Sequence, residues 1–213
     1  MRKISCWIIS FFILFSWGCV SIKKDYPDIQ EYAFDVAHPQ QNMEKQSDLF
    51  QINIEKFTAT SRYEARGLIY RREESRFEND YYNRFHAFPA DLATEGAIKW
   101  FAGAQQLQLI TPDLINVKTD FLLQGVLIEL YGDFREENNS GAVIEIQFTF
   151  LNQETLPPIV IFQKTYSERI PLTTTALGAL MQGYTDGFQK IFAQLESDII
   201  KNIFIVKDNG QEK

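Results

Sequence analysis

The chain has 213 residues, 28 Asp and Glu against 21 Lys and Arg, and two cysteines. A formal charge of −7 with no long basic run excludes a nucleic-acid surface, because phosphate binding needs clustered Lys and Arg. Two separated histidines, with no cysteine beyond Cys19, exclude a structural zinc set.

Met1, Arg2 and Lys3 open the chain with positive charge, Ile4 to Phe15 is almost wholly apolar, and Gly18 stands before Cys19. That order is a secretory signal, and its apolar run falls short of the ~20 residues a spanning helix needs. Cys6 lies inside the run that processing removes, so Cys19 has no internal disulfide partner. Gly18-Cys19 resembles the end of a bacterial lipoprotein signal, with Ser16 and Trp17 departing from the usual leucine and small residue. Lipidation of Cys19 is the expectation, with an uncleaved anchor or ordinary secretion as alternatives. The lipoprotein resemblance implies several acyl chains on Cys19, palmitate among them, and at ~0.8 kcal/mol per buried CH₂ two chains hold a protein stably in a bilayer. Val20, where an aspartate would signal inner-membrane retention, implies the periplasmic side of the outer membrane.

The expected organisation is a signal peptide over 1–18, a lipidated N-terminus and tether over 19–47, an α+β domain over 48–205 and a polar tail over 206–213. About 195 residues remain after the signal, enough for a core burying roughly 70% of the unfolded surface without a staple.

In chain order, Tyr32 to Asp35 reads as a first short strand, and Phe50, Ile52 and Ile54 alternate with polar residues as a half-buried strand does. Gly67 to Arg71 and Arg76 to Asn79 read as a strand pair with a turn between. Pro89 opens a helix whose stripe is Ala93, Ala97, Trp100, Phe101 and Ala104. Leu107 to Ile110 is a short strand. Three long strands follow, Phe121 to Arg135, one carrying Ile144, Ile146, Phe148 and Phe150, and Ile159 to Ile170, joined as an antiparallel meander. On the first of them Leu122, Val126, Ile128 and Leu130 are expected to share the inner face. A helix from about Thr174 to Asn202 presents Leu177, Leu180, Met181, Tyr184, Phe188, Ile191, Phe192, Leu195 and Ile199 on one stripe. The fold class is α+β, a two-layer sandwich of a mainly antiparallel sheet covered by two principal helices, one of them C-terminal.

Little of the chemistry points to catalysis. His38 stands beside Pro39 and His86 between aromatic neighbours, positions that suit packing or surface roles better than a base. Gly183 to Gly187 has the spacing of a nucleophile elbow with Thr185 at its centre, but lies in a helical stripe with no strand before it. Asp133, Glu136 and Glu137 lack the alternation of a calcium loop. Arg62, Arg66, Arg71, Arg72 and Arg76 are the one basic concentration, a docking face for an acidic partner or lipid headgroup, or a solvated strand edge that discourages edge pairing. Phe77, Tyr81, Tyr82, Phe85 and Phe88 are core residues by default, and an interaction patch or a lipid-contacting groove if exposed together.

The order of elements, with Tyr32-Ala33-Phe34-Asp35, the Arg62 to Arg71 segment, Tyr81 to Pro89 and Leu127-Ile128-Glu129-Leu130-Tyr131-Gly132-Asp133-Phe134, resembles the auxiliary lipoproteins of ABC-type transport systems. That class includes the paraquat-inducible lipoproteins that work with MCE lipid transporters. The resemblance spans nearly all the mature chain. It implies a non-enzymatic, cofactor-free lipoprotein that docks from the outer membrane on an MCE-domain protein or ABC permease. Some members form rings, so it also allows a homo-oligomer. The alternative is an assembly or structural lipoprotein partnering an outer-membrane β-barrel or lipopolysaccharide machine.

Overall fold

The computed structural model describes residues 28–39, 50–110 and 119–210; Cys19, the expected lipidation site, lies outside them. The elements are β1 (Gln30–Tyr32), β2 (Phe50–Ile54), β3 (Thr58–Ala59), β4 (Gly67–Arg71), β5 (Phe77–Phe85), α1 (Pro89–Gly103), β6 (Leu107–Ile110), β7 (Phe121–Asp133), β8 (Gly141–Asn152), β9 (Ile159–Pro171) and α2 (Leu177–Gly210).

Strand β7 organises the sheet. Along one edge it pairs antiparallel with β8, from Phe121 opposite Asn152 to Asp133 opposite Gly141, and β8 pairs antiparallel with β9. Along its other edge three short strands follow one another in parallel: β2 at Phe121 to Leu123, β3 at Val126 and Leu127, and β4 at Gly132 and Asp133. Beyond them, β6 is parallel to β2, β5 antiparallel to β4, and β1 parallel to β5. The sheet is mixed, its long ladders being the antiparallel ones expected of the meander.

The two helices cover one sheet face. Phe148 and Phe150 from β8, and Tyr184, Phe188, Ile191, Phe192, Leu195 and Ile199 from α2, are all fully buried, as the 3.6-residue stripe requires. The stripe continues to Ile203. At the helix start the Thr174 hydroxyl accepts from the Ala176 N–H at 3.4 Å. Gly183 lets α2 lie close on β8, because a Cβ there would come within 2.8 Å of the Ala142 Cβ. The glycine spacing around Thr185 is therefore a packing device within a helix. Among the described residues no helix is long and apolar enough to cross a membrane.

Three expectations change. Within the tether expected over 19–47, the described residues 28–39 belong to the fold: β1 joins the sheet, and Phe34, Val36 and His38 are buried. Phe34 stacks on Phe188 with ring centres 4.7 Å apart and meets Phe85 edge-on. At the other end α2 runs through the expected polar tail as far as Gly210. On β7 the inner residues are Phe121, Leu123 and Leu127, not Leu122, Val126 and Ile128. A bulge leaves Ile128 unpaired between Leu127 opposite Ile146 and Glu129 opposite Glu145. The extra residue reverses the alternation, and so Leu130 is buried while Ile128 is not.

Candidate docking surface

The five arginines do not form one free basic face. Arg71, Arg72 and Arg76 sit around the β4–β5 turn, where Glu74, Glu78 and Glu73 pair with them at 2.9, 2.9 and 2.7 Å. Arg72 also lies over the Tyr70 and Phe134 rings. Arg62 stacks on Phe77 at 4.1 Å from the ring centre. Arg66 stands apart, donating to the His86 carbonyl at 2.9 Å and lying 3.6 Å from Glu31. The acids that neutralise Arg71, Arg72 and Arg76 lie a few residues away in sequence, and the turn brings them together.

Next to that turn, a cleft of about 360 Å³ is lined by Arg72, Glu74, Asp133, Arg135 and Arg169 among others. Asp133 is buried and receives the Arg135 guanidinium at 2.9 and 2.8 Å, with Arg169 3.5 Å away. The hydrogen bonds from Arg135 hold the Asp133 carboxyl below its ordinary range, against the opposing effect of burial. Among the described residues no group of three or more His, Cys, Asp or Glu is gathered for a metal ion, and Asp133 is committed to arginine.

His38 is a packing residue. Its Nε2 is 3.2 Å from Glu196 Oε2, which also accepts the Trp100 indole N–H at 2.8 Å. The three residues clasp the N-terminal segment, α1 and α2 together. His86 is exposed, its Nδ1 3.3 Å from Glu31.

The aromatic cluster divides. Phe85 is buried and Phe77 partly so, while Tyr81, Tyr82 and Phe88 are 77%, 39% and 52% exposed. Tyr81 and Phe88 line one cleft of about 470 Å³ with Arg66 and Arg84. The backbone makes this exposure. Between Gly67 opposite Arg84 and Ile69 opposite Asn79, β4 advances two residues and β5 advances five, so three extra residues bulge outward. Asp80 fastens the bulge. Its Oδ1 accepts the backbone N–H groups of Tyr82 and Asn83, each at 2.9 Å, and its Oδ2 accepts from the Tyr70 hydroxyl and the Asn83 amide. Burial works against ionisation of Asp80, but these hydrogen bonds, led by Asn83, outweigh it and hold the carboxyl below its ordinary range. Gly67 faces the bulge, where a Cβ would collide with the Asn79 side chain and approach the Asp80 carbonyl to 3.0 Å.

β1 lies against the same corner. Gln30, Glu31 and Tyr32 pair with Asn83, Arg84 and Phe85, and Ile29, 43% exposed, directly precedes this ladder. Glu31 accepts from Arg84 at 2.7 Å and sits near His86, and these contacts hold its carboxyl below the usual range. The corner thus carries four exposed apolar or aromatic side chains over a nearly neutralised rim. The aromatic run Phe77 to Phe88 signals it in the sequence; the bulge that turns Tyr81 and Tyr82 outward does not show there.

The architecture recurs among solved structures. Protein XCC0632 of Xanthomonas campestris, of family DUF330, superposes with a TM-score of 0.69 at 12% identity, covering 85% of this chain and 99% of its own. An uncharacterized protein superposes with a TM-score of 0.59 at 9% identity, covering 78% of this chain and 99% of its own. The fold is shared. No family model and no curated protein matches the sequence.

Proposed function

We propose that the chain is a non-enzymatic lipoprotein component of an ABC/MCE-type intermembrane lipid transport system, anchored by Cys19 in the outer membrane and docking on the transporter from the periplasm. The observation that carries this reading is the lipoprotein-type signal ending in Gly18-Cys19 ahead of a domain with the family-like order of motifs. The α+β architecture, a sheet with two helices on one face, is compatible with it. In this reading acyl chains on Cys19 fix one end, and the short linker to β1 keeps the domain close to the membrane while it engages an MCE-domain protein or ABC permease.

Removal of the gene tests it. Loss of this chain is expected to redistribute phospholipid between the two membranes in the same sense as loss of the transporter, with no further effect when both are lost. Unchanged lipid distribution, or a defect confined to outer-membrane β-barrel levels, contradicts it.

A further inference from the structure

Four of the large apolar side chains that remain exposed, Ile29, Tyr81, Tyr82 and Phe88, gather at the corner where the chain enters the fold. Nine residues lie between Cys19 and Ile29, ten steps of the chain and a reach of at most about 36 Å when fully extended. Phe204 packs on Phe50 near the start of β7, whereas the β4–β5 pair joins the end of β7. An anchor at Cys19 therefore holds the aromatic corner nearer the membrane than it holds the Phe204 end.

We propose that this corner is a membrane-contact face, through which the domain rests on the leaflet that holds its anchor. The inference rests on the lipidation reading above. Tyr suits the headgroup boundary, where one end of its ring is apolar and the other wet, and Phe supplies apolar surface to the acyl side of that boundary. The Asp80-fastened bulge projects Tyr81 and Tyr82 from the sheet, with their rings edge to face at 5.2 Å. Arg66 and Arg84 line the same cleft as Tyr81 and Phe88, so guanidinium donors for phosphate oxygens lie beside the rings. Glu31 and Asp80 together balance the charges of Arg66 and Arg84 at this cleft, so the contact depends on the rings and operates on zwitterionic lipid.

The test adds one tryptophan at a time by Phe88→Trp, Tyr82→Trp and Phe204→Trp, each read as the difference from the parent, whose buried Trp100 gives the reference emission. In one arm each lipidated protein is reconstituted into phosphatidylcholine vesicles with brominated acyl chains. In the other, Cys19→Ser protein carrying a hexahistidine beside residue 19 is held on the same vesicles by chelating lipid. Quenching and a blue shift at positions 88 and 82, but not at 204, are expected, and in either arm they support the face. Their appearance only in the tethered arm, with no vesicle binding in the first, refutes lipidation and leaves the face standing. Equal silence at all three positions on vesicle-held protein overturns the proposal. So does emission that changes at 88 and 82 only when a transporter protein is added, which makes the corner a protein-docking site.

Discussion

The hydroxyl of Tyr70 donates to Asp80 Oδ2 across 2.9 Å, tying the inner strand β4 to the bulge that carries Tyr81 and Tyr82 outward. The same carboxylate accepts two backbone N–H groups, so it substitutes for the ladder bonds lost where β5 leaves register with β4. Replacing Asp80 by Ala is expected to cost about 1–2 kcal/mol in urea unfolding, since these are hydrogen bonds to a charged group at a partly solvated site. Asp80→Asn, which keeps one acceptor oxygen, is expected to cost less. Equal losses from both would show that the acceptor geometry does not hold the bulge.

Acid should weaken the fold through three aspartates. Arg135 lowers the Asp133 pKa chiefly by hydrogen bonding. Asp80 and Asp198 are lowered although burial opposes it, Asp198 by Lys164 and Tyr166. For each, the folded pKa lies below the unfolded value, so its contribution is complete above the ordinary aspartate value of 3.8 and disappears as pH falls through the folded value. Thermal unfolding scanned from neutral pH downward is expected to show Tm declining most steeply below that value, and the Asp133→Asn variant a shallower decline.

Glu129 and Glu145 oppose each other across β7 and β8. Burial raises the Glu129 pKa, and the facing Glu145 adds to it. The ionised pair is a cost to the native state at neutral pH, and like charges directly opposite on a sheet destabilise by up to about 1 kcal/mol. Glu129→Gln is expected to stabilise the protein at pH 7. Because the folded pKa of Glu129 is raised, the gain should shrink as pH falls through that value and Glu129 protonates. A destabilised variant at pH 7 would show that the neighbouring Arg62 and Arg71 outweigh the repulsion.

Phe34 tests how firmly the N-terminal segment belongs to the fold. Its ring meets Phe85, Tyr184 and Phe188, so Phe34→Ala is expected to cost about 3–5 kcal/mol in chemical denaturation, as other large core truncations do. A cost within about 0.5 kcal/mol is what an exposed tether residue would give.

The parts of this fold that were readable in advance are those with a long, regular period. The α2 stripe from Leu177 to Ile199, the α1 stripe from Ala93 to Ala104 and the alternating β8 face all lie where their spacing puts them, because burying one face is what the spacing is for. The β7 face was misread for a local reason, since the unpaired Ile128 reverses the alternation halfway along. Nothing in the composition of that run marks a bulge. The N-terminal segment carried a short signal in Phe34, Val36 and His38, a period of two hidden by the polar residues and prolines around it. For the arginines, charge type was legible and pairing was not: Glu73, Glu74 and Glu78 are close in sequence to Arg71, Arg72 and Arg76, but only the turn shows that they neutralise them.

The central claim is that an anchored chain works on a lipid transporter. The most direct measurement is affinity capture from cross-linked native membranes, carried out in parallel on the tagged parent and on Cys19→Ser. The account predicts an MCE-domain protein or an ABC permease with the parent, and a sharp drop in that recovery with Cys19→Ser. Recovery of a β-barrel or lipopolysaccharide-assembly complex in place of any transporter subunit would contradict it.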